Sequence, residues 1–465
     1  MIKRISAAIL AFLIVIFGFC GCSGLHLKSA DSLMRPPVIS GVDSELKSAF
    51  EAAVDSKNKS GAPSVITLLP PSSGDYRSAF ILHDIDVDGE DEALVFYSMQ
   101  DDQSKCHMNV LDCIDGEWIS VADFSSSGSS INFVRFVQMN ANVAPAILVS
   151  QSIYENDSSK VLSVYTCTPS SDRFSVKNIC TEVYTVIENT DVDSDGQLDI
   201  FIIQQDFSNN TSPQAIAKVL KMNNSGLIEE LGSAKLDGGI SSYVSVKTEK
   251  VNESSPMRIY VDALKGETQM ITEVIYWSSA GKSLITPMFN VETQSNIITR
   301  REENLRSQDF DGDGVIEIPS QTVLPGGRRY MSPKNLYQQM YITDWIEIKS
   351  DSDFDRFESL VNARDSYIVN YSGIKNIVGS FTVYAYDSSR TWIFREYGAA
   401  SESVGDELFS IVSATKEQAQ EKKIDKSCYL IEGENSVIYF EPREKGISEG
   451  ITADALRMYV KSFKE

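Results

Sequence analysis

The nine-residue stretch DIDVDGEDE beginning at Asp84 recurs as DVDSDGQLD at Asp191 and as DFDGDGVIE at Asp309. Each copy puts acids at positions 1, 3, 5 and 9 and glycine at position 6, and each leads into an apolar segment. Like charges about 4 Å apart repel by roughly 4 kcal/mol per pair at an effective dielectric of about 20. Four carboxylates in one short loop therefore require a positive charge among them, and three such loops require a fold that repeats one turn. The starts lie 107 and 118 residues apart, and halving those intervals finds two weaker copies. QMNANVAPAILVS from Gln138 aligns without gaps, with Asn140 and Asn142 in place of aspartates, and a more divergent copy begins near Glu249 and ends in RIYV. Residues 65–350 read as a tandem array with a period of roughly 55 residues, in which the first, third and fifth units keep the full acidic loop.

Between the loops, runs such as EALVFYSM, PAILVSQS, VLSVYTC, IFIIQQ, RIYVDAL and TEVIYW are rich in branched and aromatic residues and bounded by Asn, Asp, Ser and Gly. That pattern predicts short antiparallel strands. Calcium suits the loops: it takes six to eight oxygens at about 2.3 to 2.6 Å, alternate side chains converge on it, and glycine permits the tight turn. An EF-hand is excluded, because it needs a bidentate Glu at position 12 and flanking helices. Position 12 here is Val95, Ile202 or Ser320, and strands follow.

The acidic loop followed by a strand resembles the calcium loop of integrin-type FG-GAP or VCBS-like repeats, whose units are blades of a β-propeller. The resemblance implies a mainly β fold, with an antiparallel propeller of about five to seven blades over residues 43–350 and up to three structural Ca2+ ions. The implied ligands are Asp84, Asp86, Asp88, Glu90 and Glu92 in the first loop; Asp191, Asp193, Asp195, Gln197 and Asp199 in the second; and Asp309, Asp311, Asp313, Val315 and Glu317 in the third. Position 7 (Glu90, Gln197, Val315) would act through its backbone carbonyl. The copies at 138 and 249 lack most of the acids and are expected to bind nothing.

The N-terminus, MIKRISAAILAFLIVIFGFCGCSG, has a basic start, an apolar run from Ile5 to Phe19 and small residues around two cysteines, the layout of a secretory signal. The run is short of the roughly 20 residues of a membrane span. It resembles a bacterial lipoprotein signal over residues 1–21, which implies that Cys22 is lipidated, that 22–42 is a linker, and that the rest is extracytoplasmic and anchored to the cell membrane. The whole arrangement resembles lipid-anchored bacterial surface proteins. With 42 Lys and Arg against 65 Asp and Glu the net charge is −23, so a nucleic-acid partner is excluded by repulsion.

VDSELKSAFEAAVDSKNKSG reads as one helix presenting Leu46, Phe50 and Val54. DSDFDRFESL reads as a linker into an α+β domain over 351–465. That domain would hold hairpins in SFTVYAYDSSRTWIFREY and SCYLIEGENSVIYFEP, a strand running into a helix in LFSIVSATKEQAQEKK, and a final helix setting Leu456, Tyr459, Val460 and Phe463 on one face after a Thr452 cap. Cys167 and Cys180 flank a turn signal and either face each other or stay free thiols.

Only three histidines exist, His26, His83 and His107. His107 follows Cys106 on a strand, so the two side chains point to opposite faces. Two functional classes follow. One is a non-catalytic scaffold that presents loops to an envelope protein or glycan, which a flat, aromatic-lined face would favour. The other is a cell-envelope hydrolase or its accessory subunit, which close carboxylates with raised pKa values in a cleft outside the loops would favour.

Overall fold

The computed structural model describes residues 44–57, 65–153, 158–169, 174–206, 214–253, 255–331, 337–350 and 353–463. The signal segment, Cys22 and the linker lie outside the described residues. Among the described residues no helix is long and apolar enough to cross a membrane. The chain divides into two compact units, residues 1–134 and 135–465, each described by itself.

In the first unit the predicted helix forms as α1 (Ser44–Lys57), with Leu46, Phe50 and Val54 buried one turn apart. They share a core with Phe80, Ala93, Val95, Tyr97 and Leu111, and each buried side chain contributes about 1.5–3 kcal/mol. The sheet beneath comprises β1 (Ile66–Leu68), β2 (Phe80–His83), β3 (Glu92–Met99), β4 (Asp102–Ile114) and β5 (Glu117–Ser127). Its order is β1-β3-β4-β5, with β2 pairing the other half of the β3 edge that β1 occupies.

The chain enters the second unit along β6 (Ser130–Val137). Three four-stranded antiparallel sheets follow in chain order. The first comprises β6, β7 (Ala146–Ser152), β8 (Lys160–Pro169) and β9 (Phe174–Tyr184). The second comprises β10 (Val186–Thr190), β11 (Asp199–Asp206), β12 (Gln214–Met222) and β13 (Ile228–Leu236). The third comprises β14 (Ile240–Glu249), β15 (Arg258–Lys265), β16 (Gln269–Ser278) and β17 (Ser283–Ile285). The five sequence copies lead into β3, β7, β11, β15 and the next strand, β18 (Ile318–Tyr330), so in each four-stranded sheet the copy joins the first strand to the second.

The fifth copy departs from the others. Strand β18 and β19 (Tyr337–Ser350) join β20 (Asp353–Asn362), β21 (Tyr367–Asn370), β22 (Phe381–Tyr386), β23 (Thr391–Gly398), β24 (Ser403–Thr415), β25 (Tyr429–Glu432), β26 (Ser436–Pro442) and β27 (Val460–Ser462) in one ten-stranded sheet. Its order is β25-β26-β24-β23-β22-β18-β19-β20-β21-β27. All pairs are antiparallel except β18–β22, and the end strands β25 and β27 approach each other, so the sheet nearly closes. Leu324, Leu360, Tyr367, Phe381, Phe394 and Phe409 fill its core. Helices α2 (Tyr371–Val378), α3 (Lys416–Glu421), α4 (Glu444–Ser448) and α5 (Ala453–Arg457) connect its strands.

The boundary expected at 350 falls inside this sheet, between the hydrogen-bonded neighbours β19 and β20. The acidic run read as a linker is the exposed half of β20, and its other half, Leu360 and Val361, lies in the core. Both hairpins and the strand-to-helix passage form where expected. The final helix is shorter: Thr452 caps it by accepting from the Ala455 N–H at 3.3 Å, but it ends at Arg457, and Val460–Ser462 pair with β21 instead. Cys167 stands opposite Val176 and Cys180 opposite Val164, so the two are on different rungs and form no disulfide with each other.

Candidate metal centres

One hydrogen-bond pattern builds all three acidic loops. The position-1 carboxylate accepts from the backbone N–H of position 6: Asp84 from Gly89 at 3.1 Å, Asp191 from Gly196 at 3.0 Å and Asp309 from Gly314 at 3.0 Å. Its other oxygen accepts from position 4 or 5: Val87 at 2.7 Å, Asp195 at 3.0 Å and Gly312 at 2.7 Å. The position-9 carboxylate accepts from the N–H of position 2: Glu92 from Ile85 at 2.8 Å, Asp199 from Val192 at 3.0 Å and Glu317 from Phe310 at 2.6 Å. Positions 4 and 6 both turn left-handed, with φ of 67° and 98°, 63° and 88°, and 85° and 90°. Glycine at position 6 meets that need without a Cβ penalty. Position 4 is Gly312 in the third loop but Ser194 and Val87 in the others.

Positions 1, 3 and 9 come together. Asp84, Asp86 and Glu92, then Asp191, Asp193 and Asp199, then Asp309, Asp311 and Glu317 each offer oxygens within 4.8 Å of one another. Burial pushes the position-9 carboxyls of Glu92, Asp199 and Glu317 up to about 7, and the neighbouring loop acids push the same way. Asp86 is also raised, first by burial and then by Asp88. Oδ1 of Asp86 and Oδ1 of Asp199 are buried without a hydrogen-bond partner. Unsatisfied buried acceptors beside like charges fit a bound cation, which would use those lone pairs.

Position 5 adds a brace of its own to each turn. The carboxylates of Asp88, Asp195 and Asp313 accept from the N–H of Glu90 at 2.8 Å, Gln197 at 3.0 Å and Val315 at 2.8 Å, bracing the turn. None of the three stands in its loop's converging trio, although Asp313 forms a further acidic group with Glu317 and Glu347.

A partner outside the motif was missed from the sequence. The residue opposite position 9 on the next strand lies one step beyond the pairs Ala93–Leu111, Ile200–Leu220 and Ile318–Ile346. It is Asp112, Lys221 and Glu347 in the three loops. Lys221 Nζ lies 2.6 Å from Asp193 Oδ2 and 2.7 Å from Asp195 Oδ2. In the copy at Gln138 amides replace acids, Asn140 accepting from the Asn142 N–H at 3.0 Å and donating to Asn224 at 3.1 Å; in the copy near Glu249, Glu249 accepts from Tyr260 at 2.9 Å and lies 3.8 Å from the Arg258 guanidinium.

His83 meets Tyr76 at 3.3 Å. His107 stacks on Tyr97 and lies 3.5 Å from Asp123, which also accepts from Tyr97 and Asn109, each at 2.8 Å, and pairs with Lys57 at 3.0 Å. Asp123 thus ties the end of α1 to the sheet. Outside the loops, Glu273 is raised to about 7 by burial, with Asp237 adding to the shift. Both are sealed in the interior rather than set in a cleft. On the ten-stranded sheet Tyr330, Tyr337, Tyr384 and Tyr386 gather around Arg328, whose guanidinium lies 4.7 Å from the Tyr337 ring and 5.5 Å from Tyr384.

No protein-family model matches the chain, and no curated protein matches it. Among solved structures it is similar to a hypothetical selenium-binding protein from Sulfolobus tokodaii, at 8% identity and a TM-score of 0.26 over 46% of this chain and 54% of that one. The match spans about half of that protein's length, and at that score it assigns neither fold nor function.

Proposed function

We propose that the chain is a lipid-anchored, extracytoplasmic β-propeller of the FG-GAP/VCBS-like kind, a non-catalytic scaffold braced by calcium that presents a binding face to an envelope protein or glycan. The observation that carries the proposal is the hydrogen-bond pattern shared by three loops, each of which brings positions 1, 3 and 9 together. A Ca2+ ion held there by Asp84, Asp86 and Glu92, or by their counterparts, would supply the charge that offsets the repulsion. Position 9 opens β3 and β11 and immediately precedes β18, so the same carboxylates fasten each turn to the strand that follows it. In the copy at Gln138 amide hydrogen bonds do that work, and in the copy at Glu249 the Arg258 guanidinium stands beside the carboxylate.

The tyrosine cluster around Arg328 supports the binding part of the proposal, because aromatic faces and a guanidinium stack on sugar rings or on aromatic side chains. Anchoring through Cys22 would keep this face at the membrane surface, and Cys22→Ala is expected to abolish lipid labelling while Cys20→Ala leaves it. The deciding experiment immobilises the chain, passes an envelope extract over it and compares wild type with Arg328→Ala/Tyr337→Ala. Retention of one protein or glycan by wild type, lost in the variant with an unchanged melting temperature, is expected. Retention that the variant leaves unaltered would reject this face as the binding site.

A further inference from the structure

We propose that the second acidic loop carries its own cation: Lys221 occupies the place that a divalent ion takes in the first and third loops, so the chain binds two calcium ions rather than three. The inference rests on the metal reading above and concerns how one residue sets the count.

Three hairpins place a side chain directly opposite position 9, and its charge differs between them. Asp112 and Glu347 add a fifth carboxylate to the first and third loops, whereas Lys221 sets an ammonium against four carboxylates in the second. The ammonium bonds two of the loop carboxylates, Asp193 at 2.6 Å and Asp195 at 2.7 Å, with its side chain only 21% exposed. Calcium would need Asp193 at about 2.3–2.6 Å. A calcium ion on either oxygen of that carboxylate would lie within about 5 Å of the ammonium, a repulsion of several kcal/mol even at an effective dielectric of about 20. A tethered ammonium also pays no association entropy. Free calcium must displace Lys221, and in the other two loops it displaces nothing of the kind. The seat itself is intact: Asp191, Asp193 and Asp199 converge within 4.8 Å as in the other loops, and Asp199 Oδ1, on a fully buried side chain, has no partner. Removal of the lysine should therefore open a third site.

Calorimetric titration of the chelator-stripped full chain with calcium chloride tests this, with melting temperatures to verify folding. Wild type is expected to bind two equivalents, Lys221→Met and Lys221→Glu three, and Glu347→Lys one. Asp193→Ala should leave the wild-type count at two, while Asp86→Ala and Asp311→Ala each lower it by one. Three equivalents in wild type, or two in both Lys221 variants, would overturn the role of Lys221 while the metal reading stands. No binding in any chain would overturn the metal reading and this inference with it.

Discussion

Asp311→Ala separates a carboxylate that holds a cation from one that shapes a turn. Asp311 makes one hydrogen bond, accepting from the Asp313 N–H at 3.2 Å, in an exposed part of the third loop. Losing that bond costs about 0.5–1 kcal/mol. Its oxygen also sits within 4.8 Å of oxygens from Asp309 and Glu317, a repulsion of about 3.5 kcal/mol per pair at an effective dielectric of about 20, which solvent and salt reduce to a fraction. The two effects offset, so in chelator the variant should be as stable as wild type or slightly more so. With calcium the balance reverses, because the variant forfeits RT ln(1 + [L]/Kd), about 2.7 kcal/mol at a hundredfold excess over Kd, or a few degrees in melting temperature. Scanning calorimetry of both chains, with chelator and with calcium, reads the interaction. A drop of equal size in both conditions would show that Asp311 only shapes the turn and would refute the cation account of this loop.

Val87 holds φ at 67° with its side chain 64% exposed, a strained conformation for a β-branched residue. Val87→Gly should raise stability by about 0.5–1 kcal/mol, read as a higher melting temperature in chelator. Glu273, fully buried and raised from 4.5 to about 7, holds a proton in the fold that the unfolded chain releases. Its contribution is fully present below about 4.5 and is lost as pH rises through about 7, a difference of about 3 kcal/mol. Glu273→Gln should flatten the fall in melting temperature between those pH values. Because β19 and β20 pair across the expected boundary, proteolytic cleavage between Ser350 and Asp353 should leave fragments that co-elute in gel filtration rather than two separately folded pieces.

The repeat was legible because its chemistry is local. Asp84, Asp191 and Asp309 announce the turn, and the glycine at position 6 announces its handedness, all within nine residues. Leu46, Phe50 and Val54 were legible for a similar reason, since helical spacing alone places them on one face. What the sequence hid depends on register. Asp112, Lys221 and Glu347 lie 20, 22 and 30 residues past position 9, because the hairpins between differ in length, so no fixed spacing marks them. The bracing role of position 5 was not legible either, because it depends on the shape of the turn: Asp88, Asp195 and Asp313 each accept from the N–H two residues on, while Asp313 also joins an acidic group with Glu317 and Glu347. The boundary at 350 misled because the acidic half of β20 reads as solvated linker until β19 is seen beside it. The last helix was overextended because Val460 and Phe463 fit a helical stripe, while the open edge of β21 claimed Val460–Ser462 as strand.

Calcium titration of the chelator-stripped chain, followed by thermal unfolding of the loaded and stripped forms, tests most directly whether the repeats are braced by cations. The account predicts saturable binding of at least two equivalents and a higher melting temperature on loading. No heat of binding and identical melting with and without calcium would contradict it, and would make the three loops ordinary acidic turns held by their backbone hydrogen bonds alone.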